Sequence, residues 1–403
     1  MTDPAHVLAT VPRVVVHDPR LGRDPVGVYG ELREQAPLVR VLALGLQAKW
    51  ALTRFADVRS FFADPRFAFT ADSAITPDVP ATARTHMQAT LIDRDGHRRL
   101  RSGMARTFTP HRAAAFRPAV EAIVDELLDE LPGRADGGVV DLMAGYADPL
   151  PIDATCGFLG VPRSDHPAWR EFPAPVGSGD AGRFATVMPS IVERTRAAVA
   201  HRVEYPGDDV ISELLRSGEY DDTGSVELAG FVWINVIASS TVSGLLGSAI
   251  LALLTHPGQR ELLRRGEVGP ATAIDELVRW CGVHVLSTPR YAVEDVDWHG
   301  VTIPKGAPVV GCIAAANRDP RVFEEPERLD LSRPLRAASP PHLGFAHGPH
   351  GCAGNALGRV IVDVALTRLL HRFPGLALAG DPAELPYHDD PEAHRLTALP
   401  VTL

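Results

Sequence analysis

The residue with the clearest chemical role in this 403-residue chain is a cysteine in a glycine-rich loop. Cys352 lies in the stretch HLGFAHGPHGCAGNALGR, among Gly348, Gly351 and Gly354, and a helical pattern follows directly. Glycines let backbone amides turn toward a sulfur, and the start of a helix presents the positive end of its dipole. Both effects favour thiolate over thiol, so we expect this sulfur to stay anionic. The alternative is an inert buried cysteine in a tight turn.

The spacing around the cysteine favours the first interpretation. Phe345, Gly348, His350, Cys352 and Gly354 fit the pattern Phe-x-x-Gly-x-His/Arg-x-Cys-x-Gly. The segment resembles the haem-binding loop of the cytochrome P450 family. The resemblance implies that Cys352 is the proximal thiolate ligand of the iron of haem b, with Phe345, His350 and Gly354 in the same cofactor-binding loop. It also implies dioxygen as co-substrate.

Other patterns of the family occur in the expected order, so the resemblance extends over essentially the whole chain. Glu276 and Arg279 match Glu-x-x-Arg on a helix, where a spacing of three places both side chains on one face. Arg328, in PERLDLSRP, matches the third member. The resemblance implies a buried Glu-Arg-Arg network that holds the segment beneath the cysteine loop.

Haem carries two propionates, and partly buried carboxylates need cationic partners. His97 and Arg101 match the family's His-x-x-x-Arg on an early helix, and Arg290 matches a position that reaches a propionate. His350 lies in the cysteine loop itself. The resemblance therefore implies that these four residues bind the propionates.

The uncharged stretch 228–255 departs from the family at its expected catalytic positions. Thr241 is retained, but Ser240 stands where the family commonly has an acid, and Ala238 stands in place of a glycine. In the family the acid and the alcohol pass protons to bound dioxygen. A serine hydroxyl lacks the acidity of a carboxyl group, so the substitution leaves the reaction type open.

Three functions follow from this departure. The first is monooxygenation of a small natural product, using dioxygen, two electrons, Thr241, Ser240 and ordered water. The second is oxidative C–C or C–N coupling of aromatic or cyclic-dipeptide-like substrates without net oxygen insertion. Both would make the chain a cytochrome P450 oxidoreductase of secondary metabolism. Peroxide-driven chemistry is a further, less favoured use of the haem. The third is a non-catalytic haem-binding sensor on the same fold.

The substrate pocket is expected between the loop 67–92, the helix over 228–255 and the segment 284–288. Its candidate residues are Trp233, Asn235, Ile237, Val285 and Thr288. Packing is the alternative for Trp233, and a hydrogen bond within its own helix is the alternative for Asn235.

Composition places the chain among ordinary globular proteins, with 45% hydrophobic and 22% charged residues. The net charge of −10 argues against nucleic acid as a partner. Four cysteines without Cys-x-x-Cys pairing fit a reducing cytoplasm, and the N-terminus shows no signal-peptide pattern. The stretch 228–255 is long enough to cross a membrane, but its polar residues and lack of flanking basic clusters favour a buried helix.

The periodicity predicts a mainly α protein with small peripheral β-sheets, which is the cytochrome P450 fold by resemblance. We expect one haem-thiolate domain over 1–403, with β-rich parts at 38–54, at 285–312 and in the C-terminal region. The helical patterns cover 26–35, 55–63, 96–105, 112–131, 188–202, 209–217, 228–255, 271–281 and 355–372. Without a membrane anchor or a fused redox module, the soluble bacterial type implies a separate ferredoxin or flavodoxin-like electron donor with its NAD(P)H reductase.

Overall fold

The computed structural model describes residues 11–43, 47–69, 94–176, 181–218, 226–335, 340–390 and 392–403. The chain forms two compact units. The first comprises Met1–Ala74, Val268–Cys352 and Tyr387–Arg395, and the second comprises Ile75–Glu267, Ala353–Pro386 and Leu396–Leu403. That the whole chain is one haem-thiolate domain stays a prediction.

Helices dominate the described residues, in agreement with the predicted fold class. In chain order they are α1 (Pro19–Arg23), α2 (Pro25–Gln35), α3 (Phe55–Ala63), α4 (Arg94–Thr107), α5 (Pro110–Ala115), α6 (Arg117–Glu130), α7 (Pro149–Leu159), α8 (His166–Trp169), α9 (Pro173–Val176), α10 (Ala181–Glu204), α11 (Val210–Arg216), α12 (Val226–Ala238), α13 (Ser240–Thr255), α14 (Pro257–Arg264), α15 (Pro270–Cys281), α16 (Ile313–Ala316) and α17 (Asn355–Arg372). Short 3-10 turns lie at Leu131–Arg134, Arg163–Asp165, Gly348–His350 and Pro382–Glu384, and a π-helical turn lies at Met143–Ala147.

The strands are short. They are β1 (Arg13–Val15), β2 (Leu38–Leu42), β3 (Lys49–Leu52), β4 (Phe67–Ala68), β5 (Val140–Asp141), β6 (Arg290–Ala292), β7 (Val296–Trp298), β8 (Val301–Ile303), β9 (Pro308–Gly311), β10 (Ala377–Leu378) and β11 (Pro400–Thr402). The β-rich parts expected at 38–54, at 285–312 and in the C-terminal region therefore do contain strands.

The first unit is built on a six-stranded mixed sheet with the order β1-β2-β3-β9-β6-β4. Strand β3 pairs in parallel with β9, and β9 pairs antiparallel with β6, so Val309 lies between Trp50 and Arg290. Because successive side chains of a strand point to opposite faces, the strands feed two separate apolar clusters. One cluster contains Leu38, Trp50, Leu52 and Val309. The other contains Val39, Val41, Ala51 and Val310. This sheet carries Arg290 at the start of β6.

The second unit is mainly helical, with one three-stranded sheet of order β10-β11-β5. Its helices α6 and α17 are joined by ion pairs, and the Tyr146 hydroxyl donates to the carbonyl of Ala365 in α17 at 2.8 Å. The ion pairs are Arg117 with Asp363 at 2.7 Å, Arg368 with Asp125 at 2.7 Å and with Glu121 at 3.0 Å, and Arg372 with Asp129 at 2.6 Å. They hold the long helix that follows the cysteine loop against its neighbour.

Two predicted helices are interrupted. The pattern over 112–131 divides into α5 and α6 around Phe116, because Pro118 has no N–H to continue the helical ladder. The stretch 228–255 divides at Ser239, whose hydroxyl donates to the carbonyl of Val236 at 2.6 Å. A serine bound to its own helix in this way distorts the ladder locally.

The stretch Leu228–Thr255 has the length and composition of a membrane span, and it is the single such stretch in the described part of the chain. Of its most apolar window, 67% is buried inside the structure. This burial supports the interpretation of α12 and α13 as core helices.

Candidate haem-thiolate site

Cys352 differs from the other three cysteines in its environment. Its side chain is exposed, whereas Cys156 and Cys312 are buried and Cys281 is half-buried. Burial raises the pKa of Cys281 and of Cys312 to about 12, so both remain neutral thiols. Cys352 is thus the most exposed of the four cysteines.

The loop before Cys352 is fixed by backbone hydrogen bonds. The Cys352 N–H donates to the carbonyl of Phe345 at 2.9 Å, and the Gly351 N–H donates to the carbonyl of Gly348 at 2.9 Å. The chain therefore folds back on itself across the predicted motif. Phe345 and His350 are half-buried.

The loop requires glycine at one of the three predicted positions. Gly348 has a φ of +72°, and a Cβ there would lie 2.8 Å from the carbonyl oxygen of Phe62 in α3. Both the backbone angle and the close approach exclude other residues. Gly351 and Gly354 have φ of −53° and −76°, so left-handed freedom is not what these two glycines supply. Ala346 adopts a φ of +55°, a strained angle for a residue with a Cβ.

Arg290 is a buried cation, with only 4% of the residue exposed. Its Nη1 donates to the carbonyls of Phe62 and Phe61 at 2.9 and 3.4 Å. Within the described part of the chain no acidic side chain pairs with it, and burial lowers its pKa to about 10, which still leaves it charged at neutral pH. A buried charge without a counterion is costly, so this environment fits an anionic group of a bound cofactor. A haem propionate is such a group.

His350 and Arg290 meet around one aromatic ring. The ring of Phe69 lies edge-on to His350 with a centroid distance of 4.6 Å, and the guanidinium carbon of Arg290 lies 5.1 Å from the centroid of Phe69. The structure thus brings together two of the four predicted propionate-binding residues. His97 falls among side chains outside the described residues, and Arg101 is half-buried in the second unit. Propionate binding by all four stays a prediction.

Glu276 and Arg279 form a buried, bidentate ion pair on α15. The Arg279 Nε and Nη2 donate to Glu276 Oε2 and Oε1 at 2.7 and 2.8 Å, and both side chains are fully buried. The same Oε1 accepts from the backbone N–H of Asp330 at 3.0 Å and from the Nε of Arg333 at 3.2 Å. This carboxylate therefore links α15 to the segment around 330.

The prediction that Arg328 is the third member of the network is wrong. Its side chain points outward and pairs with Glu325 at 2.9 Å, with 61% and 66% of the two side chains exposed. Only its backbone carbonyl takes part, accepting from Arg279 and Arg333. The arginine that reaches Glu276 is Arg333, because the turn at Asp330, whose carboxylate accepts from the Ser332 N–H at 3.0 Å, redirects the chain.

The helix interruption at Ser239 lies within the predicted catalytic segment. The Val242 N–H donates to the carbonyl of Ser239, three residues back, at 2.9 Å. Ala238 is exposed, and Ser240 and Thr241 are half-buried. The interruption lies one residue after Ala238, which stands in place of the family's glycine, and it involves the hydroxyl of Ser239.

The predicted pocket residues have different environments. The Nδ2 of Asn235 donates to the carbonyl of Phe231 at 2.7 Å, so this amide is bonded within its own helix. Trp233 is 2% exposed and buried, which fits packing. Val285 is 1% exposed and belongs to the apolar cluster on the sheet, so it too has a packing role. Thr288 is exposed, Ile237 is buried, and the expected loop 67–92 lies outside the described residues from 70 onward. The pocket stays a prediction.

Sequence reasoning missed Arg333, Phe69, and a buried pair formed by Asp275 and His342. Asp275 directly precedes Glu276, and His342 opens the segment that leads to the cysteine. Of these residues, His342 could have been noticed in the sequence, since it stands three residues before Phe345 of the cysteine motif. Phe69 carries no pattern that distinguishes it from other phenylalanines.

These features fit a haem-thiolate oxidoreductase: an exposed cysteine in a glycine loop, a buried cation that has no acidic partner among the described residues, and a mainly helical fold. The family model described as Cytochrome P450 matches residues 271–389. Vitamin D(3) 25-hydroxylase of Pseudonocardia autotrophica is 36% identical, with 94% of each chain covered. Cytochrome P450 monooxygenase PikC of Streptomyces venezuelae is 34% identical, covering 94% of this chain and 91% of PikC. The solved structure of the P450 enzyme CxnD for C–S bond formation in chuangxinmycin biosynthesis superposes with a TM-score of 0.82 and 30% identity over 97% of both chains.

The chain belongs to the cytochrome P450 family. It is a bacterial-type P450 oxidoreductase with haem b as cofactor and dioxygen as co-substrate. The predicted fold class, mainly α with small sheets, is confirmed. An enzyme is thereby favoured over the non-catalytic sensor.

Proposed function

We propose that the protein is a monooxygenase that inserts one oxygen atom into a small natural product. The observation that supports haem-thiolate chemistry is the buried Arg290, which has no acidic partner among the described residues and lies in the same unit as the exposed Cys352. The reaction type is inferred from the relatives, because the two named above are a hydroxylase and a monooxygenase. In this reaction dioxygen, two electrons and two protons convert a substrate C–H bond to C–OH and release water.

Each proposed residue has a distinct task. Haem, when bound, supplies the redox chemistry at its iron. Cys352 ligates that iron through its thiolate, while Arg290 and His350 bind the propionate carboxylates of the haem. Thr241 and Ser240 hold and pass protons through their hydroxyl groups, which both donate and accept hydrogen bonds.

The electrons come from a separate donor. We propose a ferredoxin or flavodoxin-like protein with an NAD(P)H reductase, in the cytoplasm. The haem-thiolate site accepts one electron at a time, and such carriers deliver electrons singly.

Oxidative bond formation without oxygen insertion is the second candidate. It is favoured by Ser240, which stands in place of the acidic residue that usually delivers protons to bound dioxygen. The similarity to CxnD adds support, since that enzyme forms C–S bonds. In this alternative two hydrogen atoms leave the substrate and one new bond forms, and with two electrons from the donor and two protons both oxygen atoms of dioxygen end in water.

Turnover with isotopically labelled dioxygen separates the two candidates. A panel of small natural products is first screened for binding through the haem absorption band, and the binders are then incubated with a surrogate ferredoxin, its reductase and NADPH. Monooxygenation predicts a product heavier by one labelled oxygen atom. A label-free product that is lighter by two hydrogen atoms than the substrate, or than two joined substrate molecules, would support bond formation instead. NADPH use without any product from any binder would contradict both.

A further inference from the structure

A buried histidine and carboxylate lie beneath the cysteine loop and have no role in the proposed chemistry. His342 and Asp275 are 3% and 4% exposed, and the Nε2 of His342 lies 3.3 Å from Asp275 Oδ1. Asp275 is on α15, directly before the buried Glu276. His342 stands ten residues before Cys352.

The hydrogen bonds fix the protonation of the imidazole. The backbone N–H of Gly344 points to the Nδ1 of His342 at 3.2 Å. Because an amide N–H can only donate, Nδ1 must offer its lone pair. The proton of the neutral ring therefore sits on Nε2, where it is donated to Asp275. The carboxylate of Asp275 therefore favours the tautomer of His342 whose Nδ1 can accept the N–H of Gly344.

This pair is connected to the cysteine through two residues. Gly344 precedes Phe345, whose carbonyl accepts the Cys352 N–H at 2.9 Å, and the rings of His342 and Phe345 lie 5.4 Å apart. A Cβ on Gly344 would come within 2.4 Å of Val278 Cγ1, so the loop lies directly against α15 there. The position of the Phe345 carbonyl thus depends on how Gly344 is held.

We propose that Asp275 and His342 are positioning residues for the cysteine ligand. Asp275 fixes the imidazole tautomer, His342 anchors the Gly344 amide, and Phe345 then holds the backbone of Cys352. These contacts would set the direction in which Cys352 presents its sulfur when haem is bound. The inference rests on the proposed ligation of haem by Cys352.

Two amide replacements of His342 test this inference. The short side chain of His342→Asn places an oxygen near the position of Nδ1, where it can accept from Gly344. The longer side chain of His342→Gln reaches the position of Nε2 and Asp275 but offers no acceptor to Gly344. We expect the Asn variant to keep the midpoint potential and the red-shifted Soret band of the reduced carbon-monoxide complex. We expect the Gln variant to lose that band about tenfold faster than wild type and to shift in potential.

A role limited to filling space predicts the opposite order, because glutamine is closer to histidine in volume. If the Gln variant does not fold, Asp275→Asn and Asp275→Leu provide a second comparison. The amide of Asp275→Asn can still accept from Nε2 and should keep the band, whereas Asp275→Leu should lose it faster. His166→Asn, at a buried histidine of the second unit, is the control and should leave the potential unchanged.

The outcomes separate the two levels of the account. A normal wild-type spectrum with His342→Asn and His342→Gln alike, or with Gln the better, would overturn only the positioning role. A wild-type holoprotein without the red-shifted band would refute ligation by Cys352, and the positioning role with it.

Discussion

Arg290 shows at the scale of one residue how a binding site can be recognised before its ligand is seen. Its guanidinium is buried, bonded to two carbonyls of α3 and surrounded by the rings of Phe61, Phe62 and Phe69 at 5.1 to 5.4 Å. Carbonyls and ring faces stabilise a cation only partly. An anion adjacent to Arg290 would therefore gain a strong, charge-assisted hydrogen bond.

We expect Arg290→Leu to weaken haem binding by about 1.5 to 3 kcal/mol, the usual contribution of a hydrogen bond to a charged group. This corresponds to about a ten- to hundredfold faster loss of haem, measured by transfer to apomyoglobin. Arg66→Leu is the control, since Arg66 is partly exposed and already paired with Asp64 at 2.7 Å. Equal rates for the two variants would contradict a propionate contact by Arg290.

At the scale of elements, Glu276 joins α15 to the segment that precedes the cysteine loop. Its carboxylate is buried and holds two arginines and one backbone amide. Removing one partner of a buried ion pair leaves a charge uncompensated, whereas an exposed ion pair contributes little. Arg333 and Arg328, five residues apart, represent these two cases.

We expect Arg333→Gln to lower the free energy of unfolding by about 3 kcal/mol and to reduce haem content. The matched variant Arg328→Gln should change the free energy of unfolding by less than about 0.5 kcal/mol, because its ion pair is in solvent. Urea denaturation of both variants, with haem content determined in parallel, measures the difference. A larger loss for Arg328→Gln would support the sequence-based assignment over the structural one.

For the whole molecule, the pH dependence of stability reflects its buried histidines. His166 in the second unit is buried with its Nε2 3.2 Å from the carbonyl of Val161, and Asp153 lies 3.8 Å from Nδ1. Burial lowers the pKa of His166, and the nearby Asp153 opposes this only in part. The unfolded chain therefore binds a proton that the folded chain does not bind.

It follows that the free energy of unfolding falls as the pH drops below the ordinary histidine pKa of 6.5. His166→Gln should flatten this decline between about pH 6.5 and 5. His371→Gln, the same substitution at an exposed histidine, is the control. Denaturant melts across this pH range would contradict the account if His166→Gln declined as steeply as wild type.

Much of this architecture was accessible from the sequence, and the exceptions have physical causes. Helix α17 begins and ends where its pattern predicts, because its ends are marked by the glycine loop and by Phe373-Pro374. Helix α7 was missed because PLPIDATCGFL is buried on nearly all sides and has no amphipathic period, although Pro149 marks its start.

The arrangement was predictable where a motif fixes the spacing, as for the buried ion pair of Glu276 with Arg279. It was not predictable where the chain turns between motif residues. The turn at Asp330 brings Arg333 rather than Arg328 into contact with Glu276. No local sequence pattern reveals which of the two arginines faces inward. Contacts between distant segments, such as Phe69 with His350 or Asp275 with His342, arise only in the folded chain.

The most direct test of the account is the absorption spectrum of the reduced, carbon-monoxide-bound protein for wild type, Cys352→Ser and Cys281→Ser. If the sulfur of Cys352 ligates the iron, wild type and Cys281→Ser show the red-shifted Soret band of thiolate-ligated haem, and Cys352→Ser lacks it. A Cys352→Ser variant that keeps this band, or a wild-type protein that binds no haem when haem is supplied, would contradict the central claim.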